Sequence, residues 1–427
     1  MSTTLISNAT IFDGTGKATF SGDLLIEGNR ISQIAAANAG INADVTIDGT
    51  GKFLMPGMTE GHAHLSFDAF TCTEDLISPP PEEHAFLTAR VAAKLLDAGF
   101  TSAYGAAEAK LRLGVAVRNE VDAGRLPGPR IRAGSLEITV TGGLGDETRL
   151  HNPRNCRVPS NGMSPSMVVD GPEEMRKAVR IACREGCDNI KLDVSGDPFY
   201  PDTPAHCTPM SLEEMEMAVK TAHSFGKMVN AHARSIESIQ NCVIAGVDMI
   251  YHAEYSDEKT LDMLESVKDR VFIAPTIGLF HTMWNDGAAF GMPKEVTQAM
   301  GIDKLIEESI KTHSALRKRG LRHLIGGDYG FTWNMQGTQG RELQYFVDYF
   351  GYTPEEALIC ATRNGGLAMR PQGDLGTLEA GQLADLLLVS GNPIDDLSLL
   401  ADASNLALIM KDGRIHKIDP TLTTSKN

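Results

Sequence analysis

Basic residues are in deficit in this chain: 39 Lys and Arg stand against 55 Asp and Glu, a formal net charge of −16. Binding to nucleic-acid phosphates needs clustered Lys and Arg, so the composition argues against that class of partner. Cysteine is sparse. The seven cysteines (Cys72, Cys156, Cys183, Cys187, Cys207, Cys242 and Cys360) are odd in number, scattered, and free of any CxxC pair. Neither a disulfide framework nor a structural zinc is expected from them, and Cys183 and Cys187 read as packing residues at a helix end. No apolar run approaches a membrane span. The first eight residues lack the basic and apolar regions of a secretory signal. The expectation is a soluble, cytoplasmic protein with neither a membrane nor a nucleic-acid partner.

What is present is alternation. The 427 residues allow one large α/β barrel with a small accessory domain, or two medium domains. Strand-like apolar runs recur near 57–65, 100–105, 130–139, 189–195, 228–233, 249–253, 271–277 and 323–328. Amphipathic helical patterns lie between them, among them His84–Ala98, Pro172–Glu185, Leu212–Phe225, Ser235–Ala245 and Lys304–Arg319. That order predicts a (β/α)8 barrel over residues 57–369. Thr353 and Pro354 read as N-cap and first residue of a helix beyond it.

Residues 1–56 and 370–420 read instead as short strands with turn signals. Gly28-Asn29 sits between apolar runs, and Lys411-Asp-Gly-Arg414 echoes Glu27-Gly-Asn-Arg30 in form. The two ends are expected to build one composite β-sandwich, followed by a polar, frayed tail at 421–427.

Chemistry-bearing residues fall at the ends of the predicted barrel strands. His62 and His64 are two apart, so on a strand both side chains point to one face. Lys191 lies in Asp188-Asn-Ile-Lys-Leu-Asp-Val-Ser195, where Ile190, Leu192 and Val194 face the outer helices and Lys191, Asp193 and Ser195 face the lumen. A buried ammonium is costly. Either it is paired, with Asp193 at hand, or its amine has taken up CO2 and become an anionic metal ligand; on position alone the ion pair is the simpler reading. His232 and His252 sit late in consecutive strands, and Asp328 closes the last one. Active sites of such barrels gather at the C-terminal strand ends, and all six residues fall at or near one.

This constellation resembles the amidohydrolase superfamily, in its binuclear branch with a carboxylated lysine. The resemblance extends to Leu54-Met-Pro-Gly-Met-Thr-Glu-Gly-His62, to Ala361-Thr-Arg-Asn-Gly-Gly366, and to Gly376-Thr-Leu-Glu-Ala-Gly-Gln-Leu-Ala-Asp385. It implies two divalent ions, Zn2+ by the donor types. His62, His64 and Asp328 would hold the more buried ion, His232 and His252 the other, and carbamylated Lys191 would bridge them. It further implies hydrolysis of a C–N amide bond by a hydroxide shared between the ions, with Asp328 as the catalytic proton carrier. Deaminase branches carry a glutamate three residues after the strand-five histidine; here that position is Ser235, which disfavours nucleobase deamination.

Around the ligands the text is most similar to the prolidase-like and imidazolonepropionase-like group. Members of that group often carry Thr-Gly-Gly-His-Gly, where this chain has Thr141-Gly-Gly-Leu-Gly145. Leu144 in the histidine place puts ordinary dipeptidase activity in doubt. Gly142 and Gly143 remain candidates for presenting N–H groups to a carbonyl oxygen, or form a simple turn. Residues 279–290 read as a loop after strand seven, offering His281 and Trp284 to the substrate alongside Phe280, Met283 and Phe290. Tyr329 and Trp333 complete the rim. The segment 141–171, with Arg149, His151, Arg154 and Arg157, is a candidate lid.

The substrate expected is a small-molecule amide: an N-acyl amino acid, an arylamide or a mycotoxin-like conjugate. A dipeptidase, or a carbamate or lactone hydrolase on the same scaffold, is the alternative, and a homo-oligomer is expected.

Overall fold

The computed structural model describes residues 2–146, 165–422 and 424–426; Arg149, His151, Arg154 and Arg157 of the expected lid lie outside them. The α/β class is what the structure has. Parallel strands run Met58–Ala63, Phe100–Gly105, Arg130–Arg132 with Gly134–Thr139, Asn189–Asp193, Met228–Ala233, Met249–His252, Phe272–Ala274 and Arg322–His323. Each pairs with the next in parallel register, the second meeting Gly134–Thr139 through an Ala107–Ser135 bridge. A backbone bond of 2.7 Å from Gly61 N–H to the Ile325 carbonyl ties the first strand to the chain just past the last.

Alternation along Asn189–Asp193 sorts its side chains as expected. Ile190, Leu192 and Val194 join the main apolar core with Ala178 and Val179 of helix Gly171–Arg184 and Met215 and Ala218 of helix Leu212–Ser224. Lys191 and Asp193 turn the other way and meet each other, Nζ to Oδ1, at 3.0 Å. The helices begin where their caps say. Ser211 and Glu214 close a reciprocal capping box on Leu212–Ser224, Ser235 accepts from Ser238 N–H ahead of Ile236–Ala245, and Thr353 caps Pro354–Ile359.

Both termini enter one nine-stranded sheet. Lys52–Pro56 pairs with Leu386–Ser390, joining the N-terminal strands Thr3–Ile11, Phe20–Glu27 and Arg30–Ala36 to the C-terminal strands Leu406–Lys411 and Arg414–Ile418. The two echoing turns touch, Asn29 Nδ2 donating to Asp412 Oδ1 at 3.1 Å. Ile6, Ile11, Leu24, Leu54, Leu386, Leu388 and Leu408 form a separate apolar core for this sheet. Arg130 fastens it to the parallel strands through Asp385 and Asp412, each at 3.2 Å.

Two expectations are corrected. The tail is not frayed throughout: Thr424–Lys426 pairs antiparallel with Val45–Asp48, because an edge strand offers unpaired N–H and C=O groups to whatever chain lies beside it. The run after strand seven is not a loop but the helix Ile277–Asp286, with Phe280 and Met283 fully buried. Its apolar residues recur at Ile277, Phe280 and Met283, a helical interval. Among the described residues no helix is long and apolar enough to cross a membrane.

Closure between first and last strands demands two small residues. A Cβ at Gly326 would stand 2.8 Å from the His62 nitrogen, and one at Gly61 would stand 2.8 Å from the Ile325 carbonyl oxygen. Gly326→Ala is therefore expected to destabilise the fold by about 1–3 kcal/mol, as overpacking does. A urea midpoint unchanged from that of the native chain would show that the strands have room to spare.

Candidate active site

Positions in or just beyond the C-terminal halves of the strands converge on a cavity of about 410 Å3 whose walls include His62, His64, Lys191, His232, His252 and Asp328. The structure thus brings together the six residues singled out in the sequence. His62 and His64 ring centroids are 5.1 Å apart, His62 and His252 5.5 Å, and His232 and His252 4.4 Å. Asp328 Oδ1 lies 3.3 Å from His64 Nε2 and 3.9 Å from His62 Nε2. Lys191 Nζ reaches Asp193 at 3.0 Å and Glu137 Oε1 at 3.9 Å.

The bonds each imidazole makes fix which nitrogen faces the cavity. His64 Nδ1 donates to the Ala107 carbonyl at 2.9 Å, so Nε2 is the nitrogen turned to the cavity and Asp328. His252 Nδ1 meets Thr276 Oγ1 at 2.5 Å, while that hydroxyl gives its own proton to the Pro275 carbonyl at 2.7 Å. The ring nitrogen is therefore the donor, and Nε2 is the free one. His232 is reversed: its Nε2 donates to the Gly196 carbonyl at 3.0 Å, so Nδ1 carries the lone pair. His62 stacks on Tyr251 at 3.7 Å, and its backbone N–H is held by Glu60 Oε1 at 3.0 Å.

Burial sets the charges. Desolvation pushes the pKa values of His62, His232 and His252 well below the ordinary imidazole range, so these rings are neutral donors of electron pairs. Burial alone would raise the Asp328 carboxyl; the nitrogen groups around it, a hydrogen bond to His64 and the Lys191 ammonium among them, outweigh it and hold the group below the usual carboxylate range. Burial opposes the Lys191 ammonium, but Asp193 and Glu137 raise it above the ordinary lysine value. Neutral imidazoles converging with an ionised carboxylate are a donor set that suits a divalent cation. The nitrogen and oxygen atoms of His62, His64 and Asp328 all lie within 4.8 Å of one another.

Backbone strain accompanies the site. His252, Thr276 and Asp328 have φ of +76°, +59° and +56°, a region that non-glycine residues enter only where the surroundings insist. Asn334 Nδ2 secures the last of these by donating to the carbonyls of Gly327 at 2.8 Å and Asp328 at 3.2 Å.

The residues expected to meet substrate are placed more variously. Leu144 lines the cavity. Gly142 N–H is taken by Asp146 Oδ2 at 2.8 Å and Gly143 N–H by the Val140 carbonyl at 2.9 Å, so both serve the turn. His281 stacks on Tyr345 at 4.1 Å and bonds the Tyr349 hydroxyl at 2.7 Å. Trp284 lies under Lys294, whose Nζ is 5.0 Å from the ring centroid, and Tyr329 is buried with its hydroxyl donating to Glu342 Oε2 at 3.2 Å. None of these three is on the cavity wall. That wall is aromatic instead: Phe67, Phe70, Phe199, Phe331 and Trp333 face it from three loops. Phe331 lies 4.3 Å from Phe70 and 5.0 Å from Trp333, centroid to centroid.

Sequence reasoning passed over two further groups. Glu137 alternates inward with Ser135 and Thr139 while Leu136 and Ile138 are buried, a period-two signal that was available. The fully buried Arg234, two residues after His232, carried the same period-two signal. It donates to Asp197 Oδ2 at 3.0 Å and to Glu254 Oε1, and so anchors the loop that carries Phe199.

Thr276→Val keeps the shape and removes the hydroxyl that holds His252. Such outer partners typically matter by about 10- to 100-fold in metal affinity, which competition with a chelator would measure. An unchanged affinity would mean that packing alone orients the ring.

The comparisons agree with this geometry. The amidohydrolase family model matches residues 53–416. Ochratoxinase from Aspergillus niger is 27% identical over 376 residues, covering 85% of this chain and 75% of its own. Its crystal structure superposes with a TM-score of 0.86 at 25% identity over 98% of this chain and 96% of that one. A prolidase crystallised with N-methylphosphonate-L-proline gives a TM-score of 0.87 at 26% identity, over 98% and 100% of the two chains. A Xaa-Pro dipeptidase with bound methionine gives 0.86 at 27%, over 97% and 100%. With the matched family model spanning most of its length and the donor set in place, the chain belongs to the amidohydrolase family, as an amide-bond hydrolase.

Proposed function

We propose that the chain hydrolyses the amide bond of a small molecule bearing an aromatic group, with two divalent ions, Zn2+ by donor type, as its cofactor. The parallel strands then act as a (β/α)8 barrel over residues 57–369. The sheet built from 1–56 and 370–420 is its companion β-sandwich. The observation that carries the reading is the cavity itself, in which an imidazole and carboxylate cluster opens directly onto an aromatic wall. Ochratoxinase and the prolidase-like structures are its relatives in fold and sequence, which supports both an aryl-bearing amide and, as a second reading, a short peptide.

In this reading His62, His64 and Asp328 would hold one ion and His232 and His252 the other, with Lys191, as its carbamate, a ligand shared between them. Such ions, when bound, would supply an ionised water at neutral pH and polarise the scissile carbonyl. The chain's own residues do the rest. Asp328 Oδ1, kept ionised beside His64, accepts the proton of the attacking water and returns it to the departing nitrogen. Phe70, Phe331 and Trp333 take up the aromatic group and exclude water from around it. Asp193 and Glu137 flank Lys191 and fix its side chain at the cavity floor.

A pair of compounds with the same scissile bond, one N-acylated and one with a free amine, separates the readings. The N-acyl aryl compound is expected to turn over faster in Zn2+-loaded protein, and a preference for the free amine would favour a dipeptidase. Lys191→Ala should lose activity and regain part of it with an added short-chain carboxylic acid; full activity without one would remove the bridge from the account. Asp328→Asn should keep the fold and lower kcat roughly 100- to 10,000-fold, the usual worth of a positioned proton carrier, and turnover near that of the native chain would assign the proton elsewhere.

A further inference from the structure

Behind the aromatic wall lies a lysine that the chemistry does not use. Lys110 is 2% exposed, and burial pushes its pKa down to about 8. None of the ion pairs among the described residues includes it. Its Nζ donates instead to two neutral acceptors, the Leu76 carbonyl at 2.6 Å and His84 Nδ1 at 2.9 Å. His84, kept neutral by burial, gives its one N–H, on Nε2, to the Ser66 carbonyl at 2.7 Å.

An ammonium without a carboxylate is an expensive thing to bury, so its position calls for a reason. Leu76 lies near the end of the short helix Thr73–Ile77, whose last carbonyls have no partner within the helix and form its negative end. The front of the same helix is tied by Asp75 Oδ2, which accepts from Thr71 N–H at 2.9 Å and Cys72 N–H at 3.3 Å. Phe67, Phe70 and Leu76 on this segment all face the cavity. Lys110 also ends the loop that serves the metal-ligand side of the wall: Ala107 accepts from His64, and Ala109 N–H donates to Ser66 Oγ at 2.7 Å.

We propose that Lys110 is a positioning residue for substrate specificity, its buried ammonium clamping the Phe67–Leu76 segment so that Phe67 and Phe70 hold an aromatic group beside the metal ligands. The assignment of an aromatic amide as substrate is the reading given above, and this inference rests on it. Lys110 touches neither substrate nor ion. Its loss therefore loosens the wall and weakens binding of the aromatic portion, while the reacting atoms keep their places.

The test is Lys110→Met in the full-length, Zn2+-loaded protein, read in two ways. The first is substrate-free hydrogen exchange, in which amides of residues 73–78 should exchange about tenfold faster or more while those of strand Met228–Ala233 stay unchanged. The second is kinetics with N-benzoyl-L-phenylalanine and N-acetyl-L-alanine. KM for the aromatic compound should rise roughly tenfold with kcat within about twofold, and both constants for the small compound should hold. Unchanged exchange at 73–78 overturns the clamp. Faster exchange with KM rising equally for both compounds, or with kcat falling for both, overturns the specificity role. Should the methionine variant not fold, His84→Phe is read by the same two measurements, since it takes away the second acceptor and leaves Leu76. If the native protein hydrolyses neither compound, the aromatic-amide reading fails, and exchange at 73–78 still judges the clamp.

Discussion

Desolvation of imidazole is the constraint on which this molecule turns. A histidine in water near neutrality is partly protonated and repels a cation. Removed from water, as His62, His232 and His252 are, it is neutral and offers a lone pair. Burial alone leaves open which nitrogen does so. That choice belongs to carbonyl and hydroxyl partners behind the rings: Ala107 for His64, Gly196 for His232, and Thr276 for His252. The strands supply the depth, and the loops immediately beyond them supply the orientation.

The same low-polarity surroundings make the neighbouring charges strong. Lys191, Asp193 and Glu137 form one cluster on the cavity floor, while Arg234, Asp197 and Glu254 form another behind His232. With the Lys191 amine uncarboxylated, each places a cation between carboxylates, which is the arrangement that makes buried charge tolerable. The second cluster has a mechanical effect as well. Asp197 bonds Phe199 N–H at 3.0 Å as well as the Arg234 guanidinium, so an aromatic of the wall is held by the charge network of the site.

The metal-ligand candidates were readable in the sequence because strands impose period two. His62 and His64 had to share a face, and Lys191 had to oppose Ile190 and Leu192. The helix caps at Ser211, Ser235 and Thr353 were readable for a similarly local reason. The substrate wall was readable only at Leu144 and Trp333, both of which line the cavity. Phe67, Phe199 and Phe331 stand on loops after different strands, and nothing in the intervals between them encodes their meeting. His281 and Trp284 were assigned to a loop, when the interval of Ile277, Phe280 and Met283 instead winds them into a helix whose polar side packs on Tyr345 and Lys294. The final strand at Thr424–Lys426 depends on an edge offered by Val45–Asp48, far away in the chain. Local periodicity is legible; the meeting of distant loops is a property of the closed fold.

This division has a consequence for how the site can vary. His62 and His64 sit on or next to the first strand, and Asp328 just past the last, which meet through Gly61 and Gly326, where a single added carbon would collide with backbone. Those residues cannot move without breaking that contact. The aromatic wall is carried by segments held through a few side chains, Asp75 and Lys110 for one and Arg234 for another. Changes there alter the shape presented to substrate and leave the strand ends where they are. A fold arranged in this way separates the chemistry of bond cleavage from the choice of what is cleaved. Relatives with ochratoxinase and prolidase names, at 27% and 26% identity but with nearly the same backbone, are what that separation predicts.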